Sequence, residues 1–275
     1  MALSVKQKLL LLIIPAVLGL IFFAYQVIFS SYQSSQGATL VKDLVYLSGL
    51  KSSLVHELQK ERGATAGYLG SKAENFGNTL KTQRVDTDNK LKDLSAYLNL
   101  KKDSQDAPEI LNAVAKVELH LANLNTIRER VVALNINSKE AIGYYTNTNT
   151  ALLAINGLII QESREPEITV LLSSFYEFLQ GKERAGIERA VLSNVFSKQA
   201  FSEDMFAKFI SLVAQQDSFF NTFMVYAKPA QVKLFKDTMN NPAVRAVEKY
   251  RQYAKEGILQ QNAEEWFEEA TKRIT

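Results

Sequence analysis

No cysteine occurs anywhere in this 275-residue chain, and there are only two histidines. The first absence excludes disulfide frameworks, thiolate metal sites and cysteine nucleophiles together. The second leaves His56 and His120 far apart, without clustered ligands at metal spacing, as polar or half-buried structural residues rather than metal ligands. No metal site and no cofactor is expected. Charge of one sign is not in excess either: 32 Lys and Arg against 29 Asp and Glu leave +3, too little field to hold nucleic acid, so no nucleic-acid partner is expected. Glycine-rich phosphate loops, nucleophile elbows and paired carboxylates in a catalytic setting are missing, which argues against an enzyme. Missing too is any sustained two-residue alternation between glycine-bounded turns, so strands are not needed.

Apolar residues are plentiful, at 47%, which excludes global disorder and supplies a core. One uncharged run, Leu9 to Phe29, is almost wholly apolar. As a helix rising about 1.5 Å per residue it covers roughly 30 Å, the hydrocarbon thickness of a bilayer. A signal peptide is the competing reading, but its apolar region runs only about 7 to 15 residues and no clear cleavage site follows Ser30. Lys6 and Lys8 precede the run and no Lys or Arg follows before Lys42, so the positive-inside rule places Met1 in the cytoplasm. The expectation is an anchor over residues 1–30 and an extracytoplasmic domain over residues 31–275.

Beyond the run the pattern is helical. Leu40, Leu44, Leu47, Leu54 and Leu58 form the seam of a bundle or coiled coil, so the anchor is expected to continue into the first helix. Ser71 to Glu74 reads as a turn. Further helices carry Leu80 to Leu98, Val114 to Val131 behind an Asp106 cap and Pro108, Tyr145 to Ile159, and Ile168 to Leu179 behind Pro166. The remainder carry Phe206 to Phe223, starting at about Ser202 with Glu203 and Asp204 in the first turn, then a short helix from Pro229 and a long one from Pro242 to Thr275. The expected fold is all-α: an N-terminal transmembrane helix, then antiparallel helices forming two four-helix-bundle-like modules.

Within this apolar pattern one charged triplet occurs twice. Lys60-Glu61-Arg62 is followed by Gly63 and Ala64, and Lys182-Glu183-Arg184 by Ala185 and Gly186. A single such triplet is ordinarily a solvated face with intrahelical ion pairs. The surroundings of the first copy, from Leu54 through His56, Glu57, Gln59 and the triplet to Gly67, Tyr68 and Gly70, together with the second copy, resemble the nitrate- and nitrite-sensing domain of bacterial chemoreceptors and related signalling proteins. The resemblance spans residues 40–275 or thereabouts.

That resemblance implies a receptor of the bacterial inner membrane, with residues 31–275 in the periplasm or outside the cell and a cytoplasmic output module beyond a second span. It carries the family's anion-binding arginines onto Arg62 and Arg184. Lys60, Glu61, Gly63, Lys182, Glu183 and Gly186 are supporting residues, and His56 and Arg189 are possible pocket residues. The chemistry agrees, because nitrate is planar with three equivalent oxygens and guanidinium is a planar fork that meets two of them at once. Glu61 and Glu183 are expected to hold the arginines in the empty state, and small neighbours let two helices close around the ligand. An anion bridging two helices would displace one against the other by about 1 to 2 Å and pass that shift through the membrane. A homodimer through the leucine seam is expected, and Arg128 and Arg130 read as surface ion pairs. The rival reading is a helical ectodomain that binds a partner protein and has no anion site. The two differ in one distance: the Arg62 and Arg184 guanidinium groups should lie roughly 5 to 8 Å apart if they bracket an anion.

Overall fold

A computed structural model describes residues 5–101, 108–163, 165–202 and 204–274, without the side chains of residues 5–13, 16 and 30–41. Among the described residues the only regular elements are helices: α1 (Val5–Gly70), α2 (Gly77–Lys101), α3 (Pro108–Ala122), α4 (Leu124–Val132), α5 (Ser138–Glu162), α6 (Pro166–Lys198), α7 (Met205–Tyr226), α8 (Pro229–Thr238), α9 (Pro242–Lys255) and α10 (Ala263–Ile274). Proline opens α6, α8 and α9, where its missing N–H has no partner to lose. Asn137 caps α5 by accepting from the Glu140 N–H at 2.8 Å, and Asn241 caps α9 in the same way through Ala243 at 2.9 Å. The turn after α1 carries Lys72, Ala73 and Phe76 in the left-handed region. The strain at Phe76 is offset by burying its ring against Phe267, 5.7 Å away, and by its N–H donating to Glu264.

Three expected boundaries move. The helix expected from Pro242 to Thr275 divides at Gly257, whose φ of +76° ends the run and admits an irregular link before α10. The Val114 to Val131 helix breaks at Asn123 into α3 and α4. The α7 helix begins at Met205 behind Asp204, itself left-handed, rather than at Ser202. Lys6, Lys8, Leu40, Asp106 and Glu203 figured in the sequence reading and lie outside the described residues or side chains.

The expected membrane anchor is corrected. Among the described residues no helix is long and apolar enough to cross a membrane. A span takes about 20 consecutive apolar residues. The inner-membrane location, the periplasmic placement of residues 31–275 and the relay through the membrane rested on that anchor and are withdrawn.

Two compact units divide the chain, Met1–Tyr46 and Leu47–Thr275. In the second, α6 is the central element, with nearly every side chain from Leu179 to Phe196 buried. The α1 segment of this unit runs beside α6 in the same direction: Gln59 meets Glu183, Gly63 meets Arg189, the Ala66 carbonyl meets Asn194 and Gly70 meets Ser197. Antiparallel to α1 lies α5, and antiparallel to α6 lie α7, through Phe178–Phe223 and Glu188–Gln216, and α10, through Glu188–Arg273 and Phe196–Trp266. A buried carboxylate ties each group of helices together. Glu61 on α1 accepts two hydrogen bonds from Arg128 of α4 and one from Tyr145 of α5. Glu188 on α6 accepts two from Arg251 of α9 and one from Gln216 of α7. Arg128 is therefore a core residue and not the surface pair expected of it, whereas Arg130 does pair with Glu140 at the surface. The leucine seam is used internally: Leu47, Leu54 and Leu58 are buried by the chain's own helices, which removes them from any contact with a second copy.

Candidate anion-binding site

Where α1 and α6 run side by side, each contributes a glycine opposite the other's arginine. A Cβ at Gly63 would lie 3.1 Å from Arg189 Nε and 2.8 Å from the Phe267 ring, and a Cβ at Gly186 would lie 2.9 Å from Arg62 Nη2. The glycines thus create the room that two long side chains need between close helices.

Both arginines are fully buried. Arg62 donates through Nη1 to Glu183 Oε1 at 2.5 Å and to Thr146 Oγ1 at 3.0 Å, and through Nη2 to Glu183 Oε2 at 3.3 Å, while its Nε has no acceptor. Glu183 is held in turn by Gln59 Nε2 at 2.7 Å and Asn149 Nδ2 at 3.4 Å. Arg189 has much less. Its Nη1 donates to Thr271 Oγ1 at 2.8 Å, its Cζ stands 5.1 Å from the centre of the Phe267 ring, and Nε and Nη2 have no acceptor. Those two nitrogens form one edge of the fork, the edge that engages two oxygens of a carboxylate or oxyanion side by side.

The electrostatics point the same way. Burial, followed by the neighbouring Arg62, brings Arg189 down to about 9 despite Glu183 and Glu57. Burial and then Arg189 bring Lys182 down to about 8. His56, desolvated and facing Lys182, Arg189 and Lys60, falls to about 3 and is neutral at physiological pH, with its Nδ1 unpartnered. Lys60 pairs with Glu57 at 2.6 Å and Arg62 with Glu183, so Lys182 and Arg189 are the positive charges left uncompensated here. Elsewhere in the core Arg128 and Arg251 each hold a carboxylate through two nitrogens. A buried guanidinium without such a partner is costly, and Arg189 differs in this from Arg128 and Arg251.

Of the residues singled out from the sequence, Arg62, Glu183, Gly63, Gly186, Lys60, Lys182, His56 and Arg189 gather here. Glu61 turns to Arg128. Arg184 turns to α7, where it donates to Gln215 Oε1 at 3.1 Å and lies 4.8 Å over the Phe219 ring, and it also donates to Gln180 Oε1 of its own helix at 2.6 Å. The guanidinium that faces Arg62 is Arg189. The cause is helical geometry: with Glu183 directed at α1, Arg184 is rotated by about 100° to one side, whereas Lys182 and Arg189, about two turns apart on one face, are rotated by about 100° to 120° to the other. That spacing was legible in the sequence. Thr146, Asn149, Thr271 and Phe267 carried no signal, because they come from helices whose placement the triplets do not specify.

Residues 53–275 match the family model described as nitrate and nitrite sensing, NIT. The chain is similar to the nitrate regulatory protein of Klebsiella oxytoca, at 30% identity over 189 residues, which is 69% of this chain and 48% of that protein. It thus spans about half the length of that relative. Among solved structures it is similar to the NasR transcription antiterminator, with a TM-score of 0.77 and 27% identity, covering 94% of this chain and 70% of that one. Both relatives are regulators; neither is described as a chemoreceptor, as the sequence resemblance had led us to expect.

Proposed function

The chain belongs to the NIT family of nitrate- and nitrite-sensing domains, and from that premise we propose that it binds nitrate or nitrite between Arg62 and Arg189 as the sensory part of a regulator. One observation carries the reading: Arg189 is fully buried, and the edge of its fork formed by Nε and Nη2 has no acceptor. A nitrate or nitrite ion offers two oxygens to that edge, and another of its lone pairs is available to the free Nε of Arg62. The charge it brings compensates Arg189, while Glu183 continues to hold the two Nη groups of Arg62.

Signalling in this reading is conformational and non-enzymatic. The anion binds best when α1 and α6 are in the register that brings the two arginines together, so it favours that register by its differential affinity. Because Arg189 also holds Thr271 and lies against Phe267, the same shift is felt by α10. Calorimetry and thermal unfolding with nitrate, nitrite, chloride and sulfate test the reading in wild type, Arg62→Gln, Arg189→Gln and Arg184→Gln. At 100 times its Kd a ligand stabilises by about 2.7 kcal/mol. The expected result is a nitrate or nitrite response lost in Arg62→Gln and Arg189→Gln and kept in Arg184→Gln. A response retained in Arg189→Gln sinks the assignment.

A further inference from the structure

Arg189 is fully buried, so an ion that pairs with it must be admitted from one side of the α1–α6 seam. From Glu61 to Gly67 on α1 and from Ala185 to Phe196 on α6 every residue is buried. Burial relaxes toward the other end. His56, Glu57 and Lys60 on α1 are half-buried, as are Lys182 on α6 and Thr271 on α10.

These residues lie close in level. Gln59 meets Glu183 and Gly63 meets Arg189, so Lys182 stands beside the turn of α1 that runs from His56 to Lys60, about 10 Å along the axis before Arg189. Because α10 runs against α6, Thr271 lies on the Lys182 side of Phe267, and the bond from Arg189 Nη1 to its hydroxyl at 2.8 Å turns the guanidinium toward this end. The charges here are unequal in freedom. Lys60 is tied to Glu57 at 2.6 Å, and Glu57 also accepts from Gln83 at 2.6 Å. Lys182 has no such partner among the described residues, and the charges that reach it are those of Arg189, Glu57 and Lys60. His56, neutral at physiological pH, adds none.

We propose that nitrate or nitrite enters between His56, Lys60, Lys182 and Thr271, and that Lys182 captures the ion at this mouth before it passes inward to Arg189. The inference rests on the Arg62–Arg189 reading and adds the route and the residue that sets the rate. A half-exposed ammonium on a flexible stem suits capture, whereas the rigid fork of a buried guanidinium suits orientation. A charge at the rim of a site acts on the association rate and its salt dependence more than on escape. Glu57, at the same mouth, opposes the approach of an anion, and Lys60 offsets it.

The test follows the fluorescence of Trp266, the chain's one tryptophan, whose indole N–H donates to the Arg189 carbonyl at 3.0 Å. Temperature-jump relaxation of the full chain is recorded across a nitrate series, with gluconate setting the ionic strength; the slope against nitrate gives kon and the intercept koff. Lys182→Gln should lower kon about ten-fold and flatten its salt dependence, with koff changed by less than about two-fold. Lys182→Arg should restore kon, and Glu57→Gln should raise it. If Lys182→Gln leaves kon unchanged, or changes koff instead, the inference fails while the Arg62–Arg189 reading stands. If wild type gives no nitrate-dependent relaxation and calorimetry shows no binding, both fall together.

Discussion

Replacing Glu183 by glutamine separates stability from ligand binding. In the wild type this carboxylate accepts from Arg62 at 2.5 and 3.3 Å, from Gln59 at 2.7 Å and from Asn149 at 3.4 Å. Removing one member of a buried ion pair costs about 3 to 5 kcal/mol, because the other charge is left behind. Glutamine keeps one oxygen acceptor but presents an NH2 group to a cluster of donors, so we take the lower end. About 3 kcal/mol corresponds to a fall in Tm of about 6 to 12 °C for a chain of this size. The consequence for the ligand has the opposite sign. With Arg62 and Arg189 both uncompensated, a nitrate or nitrite ion meets one negative charge fewer and should bind at least about ten-fold more tightly, or about 1.4 kcal/mol. Thermal unfolding across a nitrate series should therefore show Glu183→Gln starting below wild type and approaching it as nitrate rises, with isothermal titration giving the smaller Kd. A variant as stable as wild type without anion, or one that binds nitrate more weakly, would refute the view that Glu183 is the internal counter-charge of this site.

Gly186→Ala puts a methyl 2.9 Å from Arg62 Nη2 and 3.2 Å from Gln59 Cγ, so nitrate affinity should fall several-fold by calorimetry. Its stability should change little, because alanine gains about 1 kcal/mol of helix propensity against the strain. Arg251→Met leaves the fully enclosed Glu188 with Arg273 at 3.7 Å and Gln216, and should cost about 3 kcal/mol in urea unfolding. Nitrate binding should weaken with pH. Lys182 near 8 and Arg189 near 9 are raised by a bound anion, so a proton is taken up with it; affinity is full below about pH 8 and should drop at least about ten-fold by pH 9.5 in calorimetry. Folding stability in gluconate should rise between pH 7 and pH 8 and stay flatter in Lys51→Met. Lys51 titrates near 7 when folded and at 10.5 as a free side chain, so the unfolded chain binds more protons across that window.

The all-helical class, the prolines that open α6, α8 and α9, and the turn after α1 could be read directly from the residues, because periodicity, proline and capping chemistry act within a few positions. The recurrence of a charged triplet beside small residues was readable for the same reason, and it drew attention to Arg62 and Arg184, with Glu183 and Lys182 in support and Arg189 only as a possible neighbour. Three things required the tertiary structure. Which arginine faces Arg62 depends on how α6 is rotated about its axis, and Glu183 and Arg184, adjacent in the chain, end on different sides. Whether a charged residue is compensated depends on helices far away in sequence: Glu61 found Arg128, Glu188 found Arg251, and Arg189, among the described residues, found Thr271 and a phenylalanine ring but no carboxylate. The leucine seam follows one pattern whether it faces a second copy or the chain's own helices, and only packing decided for the latter. Local chemistry set the helices and assembled the candidates, and burial, which no local pattern encodes, decided which guanidinium was left without a carboxylate partner.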